Sequence, residues 1–137
     1  MRHFTLDEAH ALLPVVVETC ERIRGLAREE KLARERVRIL ARRHLEGGAD
    51  PGAEREVLRG VAERLATEVE DLLEMGVHLK GLNPFLVDFP ALLDGRTVLL
   101  CWREGEAAIT HFHSTETGFS GRQPIEEPAV FGQTMLQ

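Results

Sequence analysis

The sequence has 137 residues, of which 43% are hydrophobic and 29% charged, and its formal net charge is −6. A chain of this length typically forms one domain that folds without disulfides or metals. The apolar fraction excludes a disordered chain, and no run of about 20 apolar residues is present to span a membrane. We therefore predict a single domain over residues 1–137.

The cysteines and the N-terminus bear on the cellular compartment. Cys20 and Cys101 match neither a disulfide framework nor a zinc-finger spacing, so we expect both to be packing residues. Residues 1–8 lack the basic and then apolar segments of a signal peptide. We expect a cytoplasmic location.

The first predicted element is a long helix. Thr5 and Glu8 have the spacing of a capping box, in which each side chain satisfies a backbone N–H of the first turn. An apolar stripe at alternating steps of four and three residues then covers residues 12–44, which is typical of a helix packed against another helix. Pro14 falls inside this pattern and predicts a kink. Glycine and proline at residues 46–52 predict a turn.

A second helix follows this turn and ends before Gly76, a typical C-terminal cap. Leu58, Leu65 and Leu72 recur at seven-residue spacing, as in a coiled coil. The two helices together predict an antiparallel hairpin over about residues 5–75.

Charge is divided between the two predicted helices. Residues 28–43 hold seven basic and three acidic side chains, whereas residues 54–74 hold seven acidic and three basic ones. Complementary charge on neighbouring helices explains this division, and nucleic-acid binding by the basic stretch is the alternative. The acidic helix would repel phosphates, and no aromatic residue lies among the arginines, so complementary charge is favoured.

Beyond Gly76 the apolar residues alternate, which predicts short strands. The predicted strands are residues 77–80, residues 85–89, which Pro90 closes, and residues 97–103. Asp94 and Gly95 predict a turn before the last of these. The segment that begins at Ser114 is rich in glycine and proline and is predicted to be a loop.

Glu104 and Gly105 predict a two-residue hairpin turn into a return strand over residues 106–113. This hairpin, residues 97–113, would pair Val98 with His111. One predicted face carries Val98, Leu100, Trp102 and Ile109, and the other carries Leu99, Cys101, Ala108 and Phe112. Because the helices cover one face only, two apolar faces predict a homo-oligomer.

These elements predict an α+β fold. A long antiparallel helical hairpin would pack on a small antiparallel sheet, with an irregular C-terminal segment. The helical hairpin would occupy about residues 5–75, and the sheet and loops about residues 76–137.

His111 and His113 lie two residues apart on a predicted strand, so both side chains would point to one face. Two such imidazoles can chelate one divalent metal such as zinc. His78 or Asp88 would supply a third ligand. The alternative is a polar pair on the surface.

Residues 117–124 contain a second candidate site. Glycines on both sides of Phe119 and Ser120 expose backbone N–H groups, and Arg122 can bind a carboxylate or a phosphate. The alternative is a loop in which Phe119 fills the core and Arg122 pairs with an acidic side chain.

Several short motifs lie beyond residue 75: Gly76-Val77-His78-Leu79-Lys80, Leu86-Val87-Asp88-Phe89-Pro90, Leu100-Cys101-Trp102, Gly105-Glu106, Phe112-His113 and Gly118-Phe119-Ser120-Gly121-Arg122-Gln123-Pro124. Together they resemble the bacterial domain-of-unknown-function family 2203. That family usually has Trp-His in place of Phe112-His113, no histidine at the place of His111 and an acidic residue at the place of His78. The residues that match its motif are Asp88, Trp102, Glu106, His113 and Arg122.

Three functional hypotheses follow. The first is a non-enzymatic, oligomeric interaction module that uses the helical hairpin and an exposed sheet face. The second is a small-ligand or metal site formed by Asp88, His113 and Arg122, with Trp102 and Glu106 as further ligand-binding candidates. If that site is catalytic, His113 is the acid or base, because imidazole titrates near neutral pH. Nucleic-acid binding is the third hypothesis.

Overall fold

The computed structural model describes residues 2–131. Its helices and strands are α1 (Leu6–Leu45), α2 (Gly52–Glu74), β1 (His78–Leu82), β2 (Phe85–Leu93), β3 (Arg96–Arg103), β4 (His111–Ser114) and β5 (Gln123–Pro124). The predicted α+β class, with two long helices and an antiparallel sheet, is confirmed. Over residues 2–131, neither helix has a stretch that is long and apolar enough to cross a membrane.

The described residues form two compact units. Of the described residues, 2–18 and 72–131 form the sheet unit, and Thr19–Asp71 form the hairpin unit. The prediction of a single domain over 1–137 stays a prediction, and its residues 1 and 132–137 lie outside the described residues.

The hairpin unit contains two antiparallel helical segments. Arg22 Nε lies 3.1 Å from Glu68 Oε1, and Arg64 Nη2 lies 3.8 Å from Glu29 Oε2. Each pair joins the two helices, but neither uses an arginine of the basic stretch 28–43, and in the second pair the arginine comes from α2. Pairing of that stretch with the acidic residues of α2 stays a prediction. Exposed ion pairs add little stability, so burial of residues such as Ile23 contributes more to this pairing.

The start of α1 is fixed by the predicted capping box. The Thr5 N–H donates to Glu8 Oε1 at 2.8 Å, and the Glu8 N–H donates to Thr5 Oγ1 at 3.0 Å. The bond from the Thr5 N–H, together with a hydrogen bond from the Thr5 side chain to the same carboxylate, lowers the pKa of Glu8, because both favour the charged form. The helix contains Pro14 and continues to Leu45.

The sheet has the order β1-β2-β3-β4-β5, with every neighbouring pair antiparallel. Asp94 and Gly95 have positive φ angles and form the predicted turn between β2 and β3. The prediction that Pro90 closes its strand is wrong, since β2 continues to Leu93. The pairing of β1 with β2 reaches Asp88. Two residues farther along β2, the Pro90 carbonyl accepts a hydrogen bond from the Phe4 N–H at 2.7 Å, so the N-terminal segment is bonded to this edge of β2.

Glu104 and Gly105 form the predicted turn, across which the Glu106 N–H donates to the Arg103 carbonyl at 3.0 Å. The predicted return strand over residues 106–113 and its register are wrong. The return strand begins at His111, which pairs with Cys101 instead of Val98. Residues 104–110 leave the ladder because Ile109 is buried and its N–H donates to His10 Nε2 at 2.9 Å. The register therefore shifts by three residues, and an odd shift exchanges the two faces of a strand.

The observed register defines a core face and a second face of the sheet. The core face carries Val87, Phe89, Leu100, Trp102 and Phe112. Phe112 was predicted on the face of Leu99 and Cys101, and the register shift moves it to the core face. The Phe4 ring meets Phe89 edge to face at 5.4 Å, and Phe131 meets Phe112 at 5.1 Å.

The position of Phe4 predicts a large effect of its truncation on stability. Phe4 is fully buried and contacts the sheet through both its ring and its backbone. We expect Phe4→Ala to lower the free energy of unfolding by about 3–5 kcal/mol in urea denaturation. The matched control is Leu45→Ala, whose side chain is exposed and whose effect should stay within about 0.5 kcal/mol. Equal losses in the two variants would contradict this view of the core.

Candidate functional site

Three buried polar side chains meet on the second face of the sheet. Asp88, Cys101 and His113 come from β2, β3 and β4, and one potential ligand atom from each lies within 4.8 Å of the other two. Their exposed fractions are 2%, 1% and 3%. Because polar groups without partners are costly to bury, these three side chains depend on one another for their interactions.

The β3 register creates this cluster. Asp88 pairs with Cys101 on one side of β3, and Cys101 pairs with His111 on the other. His113 lies two residues farther along β4 on the same face, opposite Leu99. Its imidazole reaches across β3, so that His113 Nε2 lies 3.2 Å from Asp88 Oδ1.

Both ring nitrogens of His113 face oxygen atoms. Nδ1 lies 2.8 Å from the Ser114 carbonyl oxygen, which can only accept a hydrogen bond, so Nδ1 carries a proton. Nε2 faces Asp88. Both ring nitrogens of His113 therefore have hydrogen-bond partners, and its predicted acid or base role stays a prediction.

Burial keeps the Cys101 thiol protonated. Desolvation, reinforced by the negative charge of Asp88, raises the pKa of Cys101 from 9.0 to about 12, and the charge of Arg122 opposes this only in part. A hydrogen bond in which the thiol donates to Asp88 acts in the same direction. Nucleophilic cysteines need a lowered pKa, so the geometry does not favour a cysteine hydrolase.

A cavity of about 320 Å³ lies beside the cluster. Asp88, Cys101 and His113 all line it, so a group in the cavity can reach each of the three. Further lining comes from Lys80, Leu86, Leu99 and Phe119. The cluster therefore forms part of the wall of a ligand-sized space.

Arg122 and Glu106 form a separate pair. Arg122 Nη2 donates to both carboxylate oxygens of Glu106, at 2.9 and 2.8 Å. The Arg122 guanidinium carbon also lies 4.6 Å from the Phe119 ring centroid. Arg122 thus pairs with an acidic side chain, as one alternative predicted. The prediction that Phe119 fills the core is wrong, because this side chain is 40% exposed.

Trp102, His111 and His78 lie outside the cluster. Trp102 is on the core face, where its Nε1–H donates to the Glu106 carbonyl at 3.0 Å. His111 shares the second face with His113, but its Nδ1 lies 2.9 Å from Thr110 Oγ1. His78 of β1 lies opposite Asp88 of β2 in the strand register, but it is not among the three clustered ligand residues. A metal site that contains His111 stays a prediction, and among the described residues the cluster forms without it.

Cys101 is the site residue that sequence reasoning missed. The predicted register placed it opposite Ala108, on the face away from His113. The observed pairing of Cys101 with His111 moves both histidines of β4 onto the face of Cys101. A correct register was therefore the one signal that would have identified this residue as a potential ligand.

The predicted nucleic-acid stretch of α1 forms ion pairs on its own helix. Arg34 contacts Glu30 and Arg38 contacts Glu35. Nucleic-acid binding stays a prediction.

The sequence matches a known protein family. The family model described as uncharacterized conserved protein (DUF2203) matches residues 2–125. Neither the curated proteins nor the solved structures gave a match.

The raised pKa of Cys101 makes a direct prediction about thiol ionisation. The chain has no tyrosine, so the ultraviolet absorbance of a thiolate can be followed without tyrosinate. In the metal-free Cys20→Ala variant, we expect the native thiol to titrate at a pKa of about 12 and the urea-unfolded thiol near 9.0.

The same shift has a consequence for stability, with a defined sign. The unfolded chain releases the thiol proton first, so stability should be lost as the pH rises from about 9 towards 12. Cys101→Ala should remove this part of the pH dependence of unfolding. A native titration midpoint equal to that of the unfolded chain would contradict the described environment of the thiol.

Proposed function

We propose that this chain, which belongs to the DUF2203 family of uncharacterized conserved proteins, binds a divalent transition metal such as zinc. The ligands in this proposal are Asp88, Cys101 and His113. The observation that carries it is the convergence of a carboxylate, a thiol and an imidazole within 4.8 Å in a buried cluster. Zinc binds these three ligand types in proteins.

The distances in the cluster suit a tetrahedral ion. Two ligand atoms that each lie about 2.1 Å from such an ion are about 3.4 Å apart. His113 Nε2 and Asp88 Oδ1 are 3.2 Å apart. Metal-bound histidines usually donate their other N–H to a carbonyl or a carboxylate, and the contact of His113 Nδ1 with the Ser114 carbonyl supplies this bond.

Metal binding would also release a proton from the cluster. The ion would replace the thiol proton of Cys101, so the apparent affinity should rise with pH. Three protein ligands leave a fourth position, which would face the cavity, as in zinc sites that bind a small molecule.

Both cysteines are free thiols, which supports the reducing cytoplasm as the proposed location.

Metal titration of the purified protein tests this proposal. We expect the chain to bind one zinc ion, with an apparent affinity that rises about tenfold per pH unit for each proton released. Competition with a chromophoric chelator measures this affinity. Binding of Co²⁺ should add a thiolate-to-metal charge-transfer band, which reports Cys101 directly.

Variants of the cluster should separate the ligands from their neighbours. Asp88→Asn, Cys101→Ser and His113→Gln should each weaken zinc binding by about 100-fold or more. The matched control is His111→Gln, on the same strand and face, which should bind zinc as tightly as the parent chain. Circular dichroism shows whether each variant is folded. Unchanged binding in folded Cys101→Ser would overturn the proposal.

A second proposed function is self-association through the hairpin unit. Leu32 and Ile39 lie seven residues apart on one face of α1 and are 67% and 44% exposed. Gly25 continues the same face, and with Gly60 of α2 it lines a groove of about 620 Å³. A Cβ atom added to either glycine would meet nothing within 4 Å. This face therefore has room for an additional helix.

Charge complementarity favours a second copy of the chain as the partner. Residues 28–43 of α1 are mainly basic and residues 54–74 of α2 mainly acidic. Under two-fold symmetry, α1 of one copy can lie on α2 of the other, so opposite charges meet twice. The apolar stripe of Leu32 and Ile39 would then be covered in a four-helix bundle.

Light scattering after size-exclusion chromatography tests this association. We expect the parent chain to be a dimer and the double variant Leu32→Gln/Ile39→Gln to be a monomer, because these two apolar side chains are covered only in the dimer. Leu45→Gln is the control, since Leu45 is exposed at the end of α1. A parent chain that is monomeric at all concentrations, or a double variant that still dimerises, would contradict the proposal.

A further inference from the structure

We propose that the cavity beside the cluster of Asp88, Cys101 and His113 receives a small organic monoanion. Its charged group would lie near Lys80, and its apolar body would lie against Leu86, Leu99 and Phe119. The inference deepens the proposed function and rests on it, because the ligand would occupy the space that the open metal position faces.

The charge of the cavity wall is the first support. Lys80 is the one lysine or arginine among the described residues that line the cavity, so it supplies the positive charge of the wall. In the zinc-loaded chain, the carboxylate and the thiolate would offset the two charges of the ion, so the charge of Lys80 remains. A monoanion complements this charge.

The position of Lys80 is the second, independent support. The register between β1 and β2 shifts between Leu79 and Gly81, so Lys80 lies at a β-bulge. Bulges redirect a side chain and occur often beside binding sites. A Cβ atom on Gly81 would approach the Pro84 carbonyl oxygen at 3.2 Å and Leu86 at 3.3 Å, so the close approach of the chain here favours glycine.

Lys80 also differs from the other cation near the cavity. Arg122 is held by both carboxylate oxygens of Glu106. Within residues 2–131, no side-chain carboxylate lies in ion-pair contact with Lys80, although it lines the cavity. Lys80 is therefore available to an anion from solution, whereas Arg122 is already paired.

The remaining walls define the apolar part of the ligand. Leu86 and Leu99 are strand residues that flank the cluster, and Phe119 comes from the loop after β4. The Phe119 ring lies against Arg122, which Glu106 holds in turn, so this wall has a fixed support. A volume of about 320 Å³ is at the lower end for ligand pockets and suits one ring or a short aliphatic chain.

Calorimetric titration of the full, zinc-loaded chain tests this inference with two probes of equal shape. Phenylacetate carries the negative charge, and phenylacetamide is its neutral counterpart. We expect phenylacetate to bind at least tenfold more tightly than phenylacetamide. Lys80→Met should weaken phenylacetate binding about fivefold and leave phenylacetamide binding unchanged. Lys31→Met, which removes the only other lysine, should change neither.

The outcomes distinguish this inference from the metal proposal. Elemental analysis of the same samples after dialysis measures their bound zinc. A failure to bind zinc is therefore recorded separately from the probe titrations. Equal affinity for the acid and the amide, or a loss in Lys31→Met as large as in Lys80→Met, would overturn the anion inference. Zinc binding by the same sample would leave the metal proposal intact. The metal-free chain should keep the preference for phenylacetate, because Lys80 lines its cavity as well.

Discussion

The pairing of Cys101 with His111 is the constraint on which the site depends. Successive side chains of a strand point to opposite faces, so a register with an odd offset would place Cys101 and His113 on different faces. The loop of residues 104–110 sets the offset, because it turns inward to bury Ile109 and to bond with His10. A contact between the first helix and a loop thus determines which side chains can meet across the sheet.

The polar cluster lies in a part of the sheet where apolar side chains would be expected. Burying a carboxylate, an imidazole and a thiol together costs desolvation energy, and their contacts return only part of it. The raised pKa of Cys101 is a measure of this cost, since the site disfavours the thiolate. A metal ion would reverse that preference by supplying positive charge at the centre of the cluster. The arrangement is therefore easier to explain as a binding site than as a packing solution.

The two proposed functions use different parts of the chain and different physics. The sheet unit has one face packed by Phe4 and Phe131 and a second face that carries the cluster and its cavity. The hairpin unit exposes Leu32 and Ile39 on a face with space beside two glycines. Metal binding depends on a few closely placed donor atoms, whereas association depends on apolar area and complementary charge. Either can be tested without disturbing the other.

The sequence by itself determined the local features of this protein. Helical periodicity, the Thr5 capping box and the turn at Asp94 and Gly95 involve residues close together in the chain, so composition and spacing were sufficient to predict them. Asp88 and His113 were also identified as candidates. The tertiary structure alone decided that Cys101 joins them. The register that brings these side chains together depends on the bond between His10 and Ile109, and no local pattern records a contact between residues so far apart in the chain.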